Sequence, residues 1–97
     1  MLRDKILHRL RECRPEIAAR FGVQQLVLFG SVARDEAGTD SDVDLLVRFE
    51  GRADFDRFMG LKLFLEDLLG RRIDLVTTAA LRPELRDALA HEAIDAA

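Results

Sequence analysis

Apolar residues recur over the first twenty positions at three- and four-residue steps. Leu2, Ile6, Leu10, Cys13 and Ile17 form the stripe of an amphipathic helix. Pro15 interrupts it, so the helix either kinks there or a second one begins with Pro15 in its first turn. Gly22 is placed to end it. Gln25–Phe29 is a continuous β-type run, the pattern of a strand covered on both faces. Residues 31–36 can form a short helix leaving that strand directly, and Ala37-Gly-Thr-Asp-Ser is turn chemistry. Val43–Phe49 predicts a second strand, with residues 50–53 as a loop. Asp54 then caps a helix running to Leu69, with Phe55, Phe58, Leu61, Leu65, Leu68 and Leu69 as its apolar stripe and Gly70 as its stop. Arg72–Val76 predicts a third strand. A last helix starts near Pro83 and carries Leu85, Leu89 and Ala93.

The order α-β-α-β-α-β-α, without repeats or linkers, predicts one mixed α/β (α+β) domain over residues 1–97. That length leaves no room for a separate substrate-recruiting domain. With 48% hydrophobic and 34% charged residues the chain is expected to fold. A net charge of −3 argues against gripping nucleic acid by bulk electrostatics, and there is no Trp or Tyr to stack on bases. Cys13 is the sole cysteine, which rules out an intrachain disulfide and suits a reducing compartment. The N-terminus lacks a secretory apolar core and no segment reaches membrane-spanning length, so a cytoplasmic protein is expected.

The candidate chemistry lies between residues 26 and 49. Asp42 and Asp44 are two apart at the start of a strand, so they project from the same face with Cα atoms roughly 6.5 Å apart. Two converging carboxylates repel unless a cation sits between them, and Mg²⁺, hard and octahedral, is the natural occupant. Asp74, near the start of the third strand, lands beside Asp44 if those strands are parallel, and the long intervening helix supplies the crossover. For the Gly30-Ser31 end of the first strand to meet the same place, the first two strands must be antiparallel. A mixed three-stranded sheet in order 1-2-3 meets both demands. Gly30 allows close backbone approach to a phosphate, Ser31 adds a hydroxyl, and Arg34 can reach a triphosphate or brace the loop.

Each piece alone has a plainer explanation. Gly-Ser after a strand is most often a turn, and Asp74 alone reads equally as a partner for Arg71 or Arg72. A calcium loop from Asp40 fails because Leu45 and Gly51 stand where glycine and glutamate are required, and Gly30–Gly38 lacks the Gly-Lys-Ser/Thr of a P-loop. His8 and His91 read as surface or capping residues.

Taken together, Gly-Ser-x-Ala-Arg, a seven-residue gap, Asp-x-Asp and the later Arg-Ile-Asp-Leu-Val resemble the minimal nucleotidyltransferases of the DNA polymerase β superfamily. The resemblance covers nearly the whole chain. It implies that Asp42, Asp44 and Asp74 are catalytic and bind two Mg²⁺ ions with the nucleotide, Asp74 also helping to activate the acceptor hydroxyl. It implies that Gly30 and Ser31, with Arg34, hold the triphosphate of ATP. Members of this group often pair with a HEPN-domain ribonuclease toxin and transfer AMP onto a tyrosine of it. The implied function is therefore a protein adenylyltransferase antitoxin of a type VII-like toxin–antitoxin system, acting without direct nucleic-acid or membrane binding. A chain without tyrosine cannot label itself there, which fits modification in trans. An antitoxin that neutralises by binding alone is the alternative. A small-molecule nucleotidyltransferase of the antibiotic-modifying kind is disfavoured by the length. One departure stands out: Asp35 replaces the glycine that often follows the arginine.

Overall fold

Proline and glycine divide the leading helical stretch in two. The computed structural model of the chain describes residues 2–36, 38, 41–80, 83–84 and 93–96. Helix α1 (Leu2–Glu12) gives way at Cys13 to α2 (Arg14–Phe21), which carries Pro15 in its first turn, where a missing N–H breaks no helical bond. The stretch is thus two helices, not one kinked helix. Gly22 closes α2 at φ 64°, its N–H donating to the Ala18 carbonyl at 3.0 Å.

Strand β1 (Val23–Phe29) leads directly into the single-turn helix α3 (Gly30–Ala33). Strand β2 (Val43–Phe49) returns antiparallel to β1, with Phe29 opposite Asp44 and Leu26 opposite Val47. Helix α4 (Phe55–Leu69) starts at Asp54, whose Oδ1 accepts the Arg57 N–H at 2.7 Å. It is the crossover that lets β3 (Ile73–Thr77) pair parallel to β2, with Asp44 opposite Asp74 and Leu46 opposite Val76.

The expected 1-2-3 sheet is present and is extended by a fourth strand, β4 (Ile94–Asp95), giving the order β3-β2-β1-β4. Of the helix expected from Pro83, residues 83–84 are helical, Ala93 is not, and Leu85 and Leu89 lie outside the described residues. The outer edge of β1 needs partners for its backbone groups, and β4 supplies them: Ile94 pairs with Leu28, and the Ala96 N–H donates to the Leu26 carbonyl at 2.8 Å. That demand overrides the helical preference of an alanine-rich tail.

β1 is covered on one face, not two. Leu26 and Leu28 join Val43, Leu45, Val47, Ile73 and Leu75 in a core with Ile6, Leu10, Ile17, Leu61 and Leu65 from the helices. The other face carries Val27, Leu46 and Val76, all half-exposed, together with Asp44, Arg48 and Asp74. The helices therefore pack on one side, and the carboxylates stand on the open side. Phe55, expected in the stripe of α4, is 75% exposed. A 15-residue helix of about 22 Å outruns a five-residue strand of about 17 Å, so its first turn overhangs.

Arg57 ties this end of the molecule together. It donates to the carbonyls of Glu50 (3.0 Å), Phe21 (3.5 Å) and Arg52, and its guanidinium lies 5.0 Å from the centre of the Phe49 ring. Among the described residues, no helix is long and apolar enough to cross a membrane.

Candidate active site

The end of β1 and the starts of β2 and β3 meet because β1 runs against β2 while β3 runs with it. Gly30, at the end of β1, has φ 76°, and a Cβ there would overlap the Asp44 carboxylate, lying 2.8 Å from its Cγ. Only glycine allows the strand end and the carboxylate to come this close. Register then sets Asp74 beside Asp44 across the parallel pair, and the two side chains share a hydrogen bond.

Asp44 is half-buried and its pKa is pushed up to about 6. Burial is the largest cause, followed by the charge of Asp74, the hydrogen bond with Asp74 and the charge of Asp42. Arg34 acts in the opposite direction. The carboxylates thus carry more negative charge in a partly desolvated place than they can hold comfortably.

Asp42 lies at the same end of β2, where its charge reaches Asp44, and its Oδ1 is 3.7 Å from Nε of Arg72. Among the described residues, no three of His, Cys, Asp and Glu are gathered to hold a metal ion. Asp74 takes Asp44 as its neighbour across the sheet. Arg72 takes Asp42, and Nη1 of Arg71 donates to the Ser41 carbonyl at 3.4 Å. These two arginines brace the entrance to β2, a role the sequence reading missed; the signal was their adjacency immediately before a strand carrying an aspartate.

Ser31 is half-buried in the first turn of α3, and its carbonyl accepts the Glu36 N–H at 2.9 Å. Arg34 ends α3, with Nε donating to Glu36 Oε2 at 3.0 Å. Asp35 is exposed and has φ 61°, the left-handed region that glycine enters freely. The glycine common at this point in the resembling family has a backbone reason, and the carboxyl here stands in solvent. His8 is exposed and lies 2.8 Å from Glu12, while His91 is outside the described residues.

This chain, whose mixed sheet aligns two acidic strand starts against a Gly-Ser turn, is a nucleotidyltransferase. The chain belongs to the nucleotidyltransferase domain family, whose model matches residues 10–96. It is 42% identical over 79 residues to the protein adenylyltransferase MntA of Thermococcus cleftensis, covering 81% of this chain and 80% of that protein. A solved structure described as a minimal nucleotidyltransferase is 46% identical and superposes with a TM-score of 0.74, over 91% of this chain and 93% of that one. In fold alone, the chain also matches one from a complex of tri-AMPylated Shewanella oneidensis HEPN toxin with MNT antitoxin. There the TM-score is 0.66 at 17% identity, over 94% of this chain and 71% of that one.

Proposed function

We propose that this chain is a Mg²⁺-dependent protein adenylyltransferase that moves AMP from ATP onto a tyrosine hydroxyl of a HEPN-domain toxin, and so acts as its antitoxin. The observation that carries this reading is the pairing of Asp44 with Asp74 in register, against the glycine that ends β1. Likeness to MntA supports the choice of AMP and of a protein acceptor. A tyrosine acceptor would have to lie on another molecule, since this sequence has none.

The donor set fits a hard divalent cation. Asp44 and Asp74 offer only oxygens, and their mutual repulsion is what such an ion relieves. Together with Asp42 they would hold Mg²⁺, which when bound supplies positive charge for the entering and leaving oxygens. Gly30 lets the triphosphate lie against the backbone, where the Ser31 hydroxyl and the N–H groups of the following turn donate to phosphate oxygens. Arg34 adds positive charge at the same end. As the acceptor oxygen bonds to the α-phosphorus and the bond to pyrophosphate breaks, Asp74, exposed at the rim, takes the hydroxyl proton.

The contact between Asp42 and Arg72 favours a second reading, in which the chain neutralises its partner by occlusion alone. One experiment separates the two: intact-mass analysis of the protein encoded beside this chain, co-expressed with wild type or with Asp42→Asn/Asp44→Asn. Adducts of AMP seen only with wild type establish the transferase. Equal neutralisation by both forms with no adduct would leave a binding protein.

A further inference from the structure

On the helical side of the molecule, α1 and the last turn of α4 leave a groove between them. Its floor is aliphatic, formed by Leu2, Ile6, Leu68 and Leu69. Its rim is cationic, formed by Lys5, Arg9 and Arg71. Among the described lining residues there is no acid, although the whole chain carries a net charge of −3. The groove thus sets cationic side chains around an apolar bed.

Size and chemistry narrow what fits. The cavity measures about 150 Å³, whereas pockets that enclose a nucleotide or other small ligand run from about 300 Å³ upward. One aliphatic or aromatic side chain would fill it. A bare phosphate would satisfy the rim and leave the floor wet. An occupant that satisfies both is an apolar anchor flanked by carboxylates, as an acidic amphipathic segment of a protein presents.

The groove is also tied to the active site at both walls. Arg71 donates to the carbonyl of Ser41, the residue before Asp42. On α1, Arg3 donates to the Ala33 carbonyl at 3.3 Å, at the end of the Gly30-Ser31 turn. Arg9 bridges the two helices through the Leu68 carbonyl at 3.4 Å. A segment seated here meets Arg71, the side chain that holds Ser41 next to Asp42.

We propose that the groove between α1 and α4 docks an acidic amphipathic segment of the protein acceptor and so brings the acceptor hydroxyl to the active site. The inference rests on the reading of a protein acceptor given above. Binding and transfer are therefore measured separately, with the purified protein encoded beside this chain as the probe. The variant is Lys5→Glu/Arg9→Glu, which reverses two exposed charges on one face of α1, with Lys5→Arg/Arg9→Lys as the charge-preserving control.

Charge reversal is expected to weaken binding, measured by calorimetry, at least about tenfold. The control should bind like wild type, and wild-type binding should weaken as salt rises. In the transfer assay the same variant should raise KM for the partner and leave kcat and the MgATP-induced thermal shift unchanged. Equal binding by wild type and the charge-reversed form overturns the groove, whatever the transfer assay reads. So does a wild-type chain that does not bind the probe. Binding that is lost on charge reversal, with no AMP transferred even by wild type, supports the groove and instead removes the adenylyltransferase reading.

Discussion

Asp44 is the residue at which the fold works against itself. Its pKa of about 6 lies above the ordinary carboxylate range, so the folded chain binds more protons than the unfolded one between about pH 4 and 6. Stability from this group is present below that window, is lost as pH rises through it and stays lost above. Asp44→Asn should therefore be more stable than wild type at pH 7.5 without added metal, with the gap closing toward pH 4.5. Urea denaturation of both forms at the two pH values reads this, and a gap that widens toward acid pH would overturn it. Gly30→Ala is expected to cost about 1–3 kcal/mol, since it adds a left-handed backbone penalty to a collision with the Asp44 carboxylate. Asp35→Gly should move the other way, gaining on the order of 0.5 kcal/mol as backbone strain is relieved against the added entropy of glycine. A lower urea midpoint for that variant would contradict the account. The meeting of Gly30, Asp44 and Asp74 at one end of the sheet was legible because their spacing serves two geometric demands at once. The Asp42–Arg72 contact was not, because it depends on which way one exposed side chain turns.

The elements followed the sequence closely where a local signal was strong. Gly22 and Gly70 close helices in the left-handed region, Asp54 caps α4, and Pro15 opens α2. Parallel pairing of β2 with β3 was inferred from the need to bring Asp74 beside Asp44, and the register shows that pairing. β4 had no such signal: two residues in an alanine-rich tail carry no period, and only the unpaired edge of β1 calls for them. The open face of β1 was misread for a related reason, since a continuous apolar run does not reveal which side the helices will take. Arg57 is the element-scale joint, linking the start of α4 to the ends of α2 and β2. Arg57→Ala is expected to cost about 1–3 kcal/mol from the loss of these bonds. Because the joint lies at the opposite end of β2 from Asp44, the thermal shift produced by MgATP should survive, and its disappearance would show that the two ends are coupled.

For the molecule as a whole, one small core supports an open face that carries the carboxylates, so each edge matters. Truncation after Ala93 removes β4 along with Ala96, which is almost wholly buried, and strips the outer edge of β1. The shortened chain should lose about 2–3 kcal/mol in urea denaturation and become prone to self-association through that edge; an unchanged midpoint would show that β4 adds nothing. The parallel pairing of β2 and β3 has a further consequence, in time. Asp44 and Asp74 lie on either side of α4, and non-local parallel pairs close late because loop entropy opposes them first. During synthesis the Gly-Ser turn and Asp44 leave the ribosome well before their partner carboxylate, and a nascent chain holds half a site until β3 docks. Under the proposed function, catalytic competence is expected only once β3 has docked on β2, and following AMP transfer alongside sheet formation during refolding reads this directly.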